Sequence, residues 1–528
     1  MNRTTLSLIG AATALAAVTG VASLTAGSSE GPAQPVAKAA RRLPVERSTL
    51  LCPTPTSSEV GSTTYTAYTP TGNGDGAGTG AKKGTAGLLP AQAPDDESAS
   101  GPKGGEKDGE KSDRKGARKG GSDKAGEPVV PLKEPGKPVT AETDRSDAPA
   151  LIGAADGSLA PGWTVQQTTT VAAGSGRGLL GTACAAPDTN FWFPGISTAR
   201  DRQDYVHLTN PDDSAAEVDL KLYGEEGRLK PSTDEAITVP GRSTVPVLLS
   251  TLTDAEAADA TLRVSARSGR VGATVQAVDQ TFGSDWLPAS AEPSTSVVLP
   301  GIPADATSVR LVVFAPGAND ADLKVRLAGR NSAITPAGHE SLHVKSGMTA
   351  WVDFGDLTKG EAGSLVLTAE GGEGTAAPVV AALRVTRGKG TDQETAFIPA
   401  TTGIERTATA ADNRAKGSTL SLVAPNGSAK VRVTASAGSG GGRPVSKTIE
   451  VKGGTTVAAE PPHPASGKGG YAVTVERISG GPVYASRMLA LPQGGIPMFT
   501  IQALPDDRAT VEVPAARQDL SLLNDGGR

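Results

Sequence analysis

The chain has 528 residues, enough for about three domains at ~100–200 residues each. Its net charge of −5 is spread over both signs, so it lacks the basic stripe of a nucleic-acid binder. Aromatics are scarce (4 Trp, 6 Tyr, 7 Phe), 66 Gly and 39 Pro imply many turns, and four histidines leave little for general-base or metal chemistry.

The N-terminus carries Arg3 and then an almost wholly apolar or small stretch over residues 6–26. A signal peptide has a ~7–15-residue apolar region, and a spanning helix needs ~20 residues. Residues 1–28 are therefore read as a signal peptide or a signal anchor, with Val21-Ala22-Ser23 and Ala37-Lys38-Ala39 as small-x-small sites. Either way the rest of the chain lies outside the cytoplasm, and an uncleaved segment 6–26 would hold it to the membrane. Two cysteines in an exported chain, Cys52 and Cys184, predict one disulfide. A lipoprotein cysteine would follow the apolar region directly after a small residue. Cys52 follows Leu51 at a distance, so that reading fails.

Next come short β-type runs, "RSTLLCP" and "TTYTAY", in an N-terminal segment at 42–70. Residues 71–157 read as a disordered insertion around "GPKGGEKDGEKSDRKGARKGGSDKAGEP". Mixed charge with glycine cannot bury enough surface to offset ordering entropy. Interleaved acids cancel the field that a polyanion binder would need. Residues 158–190, with "GWTVQQTTTVAA", are expected to join 42–70 in one module stapled by Cys52–Cys184.

From residue 191 the chain repeats. "TDEAITVPGRSTV", "GHESLHVKSGMTA" and "VSKTIEVKGGTTV" align Ile237, Val239, Thr244 with Leu342, Val344, Thr349 and with Ile449, Val451, Thr456. Upstream, "AEVDLKLYG", "ADLKVRLAG" and "AKVRVTASA" alternate apolar and polar residues. "FWFPG", "VVLPG" and "AFIPA" are taken as the repeat starts. The prediction is all-β: three immunoglobulin- or fibronectin-like sandwiches of about 100 residues, at 191–292, 293–393 and 394–493, with a closing strand and tail at 494–528.

His339, Glu340 and His343 spell H-E-x-x-H, the zinc-helix spacing. In the repeat, however, His343 occupies the place of Thr238 and Glu450. On a strand rising ~3.3 Å per residue the two histidines cannot share one ion. "GRGLLG" at 176–181 matches G-x-G-x-x-G, but prolines and no helical period follow it, so a glycine turn is expected. His207 and His463 stand alone. Trp163, Trp192 and Trp351 lie in patterned runs and read as at least partly buried. Trp286, in "FGSDWLPAS", reads as a loop residue and the one possible ligand contact. No catalytic, cofactor or metal residue is assigned.

The Arg-led Ala-rich N-terminus, the "LLCP" at 50–53, the low-complexity insertion and the triple β-repeat, with Cys52-Pro53 and Cys184 the most specific of them, resemble a family of high-GC actinobacterial envelope proteins of unknown function. The resemblance implies a secreted or membrane-anchored protein with a possible functional link to an envelope glycosyltransferase, and it carries over no catalytic residue. The expected function is a non-enzymatic, extracytoplasmic structural or interaction role in the cell envelope. Its partner would be an envelope protein or polysaccharide. The rival is a carbohydrate-binding accessory of envelope polysaccharide synthesis.

Overall fold

The computed structural model describes residues 41–72, 83–92, 127–174, 176–233, 235–372 and 376–514. The expected signal peptide or anchor at 1–28, and the Gly/Lys-rich run at 93–126, lie outside them. The described residues are nearly all β, with two short 3-10 turns and no α-helix. Arg41–Pro44 and Thr510–Val513 pair as a two-stranded ribbon of their own.

Residues 44–510 hold eight larger sheets, which group into four pairs. The C-terminal pair shows the pattern. Its strands, in chain order, are Thr407–Asn413, Ser418–Ala424, Ala429–Gly438, Val445–Val451, Thr455–Ala459, Tyr471–Gly480, Tyr484–Ala490 and Phe499–Leu504. One sheet orders the first, sixth, third and fourth strands. The other orders the fifth, second, seventh and eighth. Inward residues of both sheets, among them Ala408, Leu422, Val431, Val433, Val475 and Ala485, make one core. Alternation explains this directly: in "AKVRVTA" Val431 and Val433 turn inward while Lys430 and Arg432 face water.

The same order recurs in the strands from Asn190–Ile196 to Gly283–Leu287, and again from Ser296–Ile302 to Glu394–Pro399. It also recurs at the N-terminus, without the fourth strand. Arg47–Cys52, Leu151–Asp156 and Ala86–Pro90 form one sheet. Val139–Thr143, Gly61–Tyr68, Thr164–Val171 and Gly178–Ala183 form the other. The described residues thus contain four modules of one topology, where the sequence predicted three repeats and an unlike N-terminal piece. The expected joining of 42–70 with 158–190 is present, and Cys52 and Cys184 are bonded with Cα atoms 4.4 Å apart.

Three expectations need correction. Residues 71–157 are not an insertion throughout, because Ala86–Pro90, Val139–Thr143 and Leu151–Asp156 are strands. Leu88 and Leu151 are buried in the first core; in the sequence the Gly/Lys-rich composition around these short runs masks their alternation. The strand order also departs from an immunoglobulin domain, where the first strand shares a sheet with the second. Here the first pairs with the sixth, and the seventh takes its place beside the second. Finally, "AFIPA" does not start the last repeat. It is the closing strand of the third module and corresponds to "DWLPA" in Gly283–Leu287.

The four modules close into a ring. The closing strand of each touches that of the next, and the fourth, Phe499–Leu504, touches the first, Gly178–Ala183. The first strand of each module also packs on the seventh strand of the next, again returning from fourth to first.

Candidate functional site

The four closing strands bring buried polar groups to the ring's centre. Asp285 Oδ1 accepts from Gly181 N (2.9 Å), Trp286 N (2.8 Å) and Thr500 Oγ1 (3.2 Å). Glu394 Oε1 accepts from Leu179 N at 3.2 Å, and Oε2 lies 3.4 Å from Arg177 Nη1. Burial holds the Asp285 carboxyl well above the usual range and pushes Glu394 up to about 8, against the pull of Arg177. The glycines of "GRGLLG" make this approach possible. A Cβ on Gly181 would strike Thr500, and one on Gly178 would strike the Ser284 carbonyl. The motif is therefore a close-packing device: only its start lies in the expected glycine turn, and Gly178 to Gly181 belong to the strand Gly178–Ala183.

Beside the axis, the fourth module meets the first through a buried polar network. Gln166 Oε1 accepts from Asp412 N at 2.8 Å and from Arg487 Nη2 at 3.1 Å. Arg487 also donates to Gln502 Oε1 at 2.6 Å, and Thr168 Oγ1 donates to Asp412 Oδ2 at 2.9 Å. Burial lowers Arg487 to about 10, with Asp412 opposing.

The repeated threonines work at two other seams. Thr349 Oγ1 donates to the Tyr223 carbonyl of the preceding module (2.8 Å) and bonds Thr261 Oγ1 (3.0 Å). Thr456 Oγ1 does the same with the Ala328 carbonyl (2.7 Å) and Ser364 Oγ (3.0 Å). Thr244 instead pairs with Thr209 inside its own module. The five-residue spacing was visible in the sequence; its role across a seam was not.

The H-E-x-x-H residues are separated. His343 lies in the strand Ser341–Val344 opposite Asp322, as Thr238 lies opposite Glu217 and Glu450 opposite Lys430. Its Nδ1 is 2.7 Å from Asp322 Oδ1, and Nε2 is 3.5 Å from Asp320 Oδ2. His339, in the preceding turn, stands edge-on to Phe354, and Glu340 Oε1 accepts from Gly338 N. Among the described residues no group of His, Cys, Asp and Glu is placed to hold a metal ion. The other two histidines are also engaged: His207 is buried edge-on to Trp286 and pushed down to about 4 by burial, and His463 Nδ1 is 2.8 Å from the Tyr471 hydroxyl.

Trp286 is not a loop residue open to a ligand. It lies in the strand Gly283–Leu287, 1% exposed, packed on Val171 and Leu180 of the first module. The reason is the register just described: "DWLPA" matches "AFIPA", so Trp286 takes the place of the buried Phe397. Trp351, expected to be partly buried, is the exposed tryptophan at 39%. Its Nε1 donates to Glu225 Oε1 at 2.6 Å, and Arg310 lies over the ring at 4.6 Å. It lines a cleft of about 410 Å3 with Glu225, His343, Lys345 and Met348.

Residues 139–462 match the model of DUF5719, described as a family of unknown function. No curated protein matches the chain.

Proposed function

The chain belongs to DUF5719, a family of unknown function, and from its geometry we propose a non-enzymatic, extracytoplasmic scaffold that holds a partner in the bacterial cell envelope. The observation that carries this reading is the use of its polar groups. Asp285, Glu394, Arg487, Thr349 and Thr456 each bond a group of another module. Such an arrangement fixes a shape. The Cys52–Cys184 disulfide supports an oxidising compartment. The resemblance to actinobacterial envelope proteins supports the envelope as the site, with an envelope protein or polysaccharide as partner. The carbohydrate reading loses Trp286 as its contact, because a 1% exposed indole cannot stack on a sugar.

The test is chemical cross-linking in intact cells, followed by mass spectrometry of the full-length protein's adducts. Recovery of envelope components on the exposed faces of the modules is expected. Adducts drawn only from cytoplasmic proteins, or free thiols at Cys52 and Cys184 in protein from its native compartment, would overturn the reading.

A further inference from the structure

We propose that the cleft beside Trp351 is a binding site for a neutral pyranose unit of a saccharide. The pseudo-symmetry of the ring isolates the site. Two residues past the repeated threonine stand Pro246, Trp351 and Ala458 in the second, third and fourth modules. The seams on either side do without an aromatic there. At this seam the joining work is done by Thr349, Thr261 and Tyr223, and by Trp192 and Phe314 at 5.4 Å. Trp351 is thus an addition to this seam that the others lack, and the residue is 39% exposed.

It is also held still. Its N–H is fixed by Glu225 at 2.6 Å from the preceding module. One face rests on Arg310, whose guanidinium is locked by Asp259 (2.9 Å) and Asp353 (3.1 Å). The remaining aromatic surface borders a cleft of about 410 Å3, within the ~300–1,000 Å3 usual for small-ligand sites. The cleft's lining includes an acceptor, Glu225, a donor, Lys345, the imidazole of His343, which Asp322 orients, and the apolar side chain of Met348. An immobile π-face beside fixed donors and acceptors of both signs suits a ring with one C–H face and a periphery of hydroxyls. A cationic ligand is disfavoured, because Arg310 already occupies the ring's other face and Lys345 lines the cleft.

This proposal does not rest on the scaffold reading, and its failure would leave the cross-linking result intact. Trp163, Trp192 and Trp286 are 5% exposed or less, so iodide quenching of the whole protein reports Trp351 almost alone. The full-length protein is titrated with methyl pyranosides and disaccharides of glucose, galactose and mannose. Saturable protection from quenching by at least one sugar is expected. By calorimetry that sugar's binding should vanish in Trp351→Ala, weaken about tenfold in Glu225→Gln and persist in Pro246→Ala. Thermal midpoints of the variants check that each is folded, and Trp351→Phe, which keeps a ring, should retain part of the affinity. Absence of saturable protection by any sugar, binding unchanged in Trp351→Ala, or equal protection by tetramethylammonium would each overturn the proposal.

Discussion

The seams of the ring are not alike. Between the second and third modules, and between the third and fourth, cores run together: Phe397 and Ala382 join the second module's core, and Phe499 and Ile501 join the third's. Where the fourth module meets the first, the apolar contacts are two small clusters, around Tyr68 with Ala411 and around Leu179 with Leu489. Between them lies the network of Gln166, Thr168, Asp412 and Arg487. A merged core tolerates shifts in register, since apolar contact has no direction. A buried network of amides and charges loses its bonds when the register shifts, and an unpaired buried polar group costs more than an apolar one. The polar seam thus joins chain segments more than 240 residues apart in a single register, as the Thr168–Asp412 separation of 244 shows.

The largest effect is expected from the disulfide, which ties the first module's opening strand to the end of its closing strand. With the cysteines 132 positions apart in sequence, chain entropy sets an upper value of roughly 5 kcal/mol. The double variant Cys52→Ser/Cys184→Ser should lose about 2–5 kcal/mol in denaturant unfolding. The polar seam should loosen with it, as seen by hydrogen exchange at the Asp412 amide, which donates to Gln166 across that seam. Loss of exchange protection at the inner seams first would break the comparison.

Arg487→Met tests the network itself. It leaves Gln166, Gln502 and Asp412 short of a buried partner, and removing one member of such a set costs about 3–5 kcal/mol. Equal loss from Phe397→Ala is no objection. A loss below about 1 kcal/mol from Arg487→Met would mean that the seam is wet.

pH sharpens the contrast at the axis. The folded-state pKa of Glu394 is raised to about 8 by burial, so the folded protein holds a proton that the unfolded chain has released. That contribution is full below the ordinary glutamate range and is lost as pH rises through about 8. Asp285 shifts in the same direction. The thermal midpoint should fall between pH 5 and pH 8, and Glu394→Gln should flatten the fall; a midpoint that rises across this window would contradict the assignment. The half-buried Asp212 and Asp219 carboxyls are lowered by Arg270 and Arg267, so their smaller contribution disappears only as the solution becomes strongly acid.

At the inner seams, Thr456→Val removes one hydroxyl that bonds Ala328 and Ser364, for about 1 kcal/mol in equilibrium unfolding. The smallest effect belongs to the Gly/Lys-rich run. Deleting residues 93–109, half of the run, should leave stability and the disulfide nearly unchanged, because halving a loop alters closure by only ~0.6 kcal/mol. Several kcal/mol lost on calorimetry would show that the run contributes structure.

Much of the fold was legible from residues alone. The alternation in "ADLKVRLAG" and its sisters, repeated at fixed spacing, implies strands, since one face is buried and the period is two. The same register settled H-E-x-x-H: a residue standing where Thr238 and Glu450 stand is a strand residue, and His343 is one. The cysteine pairing followed from there being two in all. The first module was hidden because its strands are broken by the low-complexity run, which drowns short patterns such as "LIGAAD".

What the sequence could not contain was the meeting of distant segments. Which face of "DWLPA" is covered depends on another module's Val171 and Leu180, so Trp286 looked open and is buried. Trp351 followed the strand pattern and is exposed, because the outer face of an edge strand is covered only where a neighbour happens to reach it. Local alternation is a property of the chain and can be read along it. Ring closure, the acids at its axis and the cleft at one seam are properties of how four similar surfaces meet, and only the tertiary structure decided those.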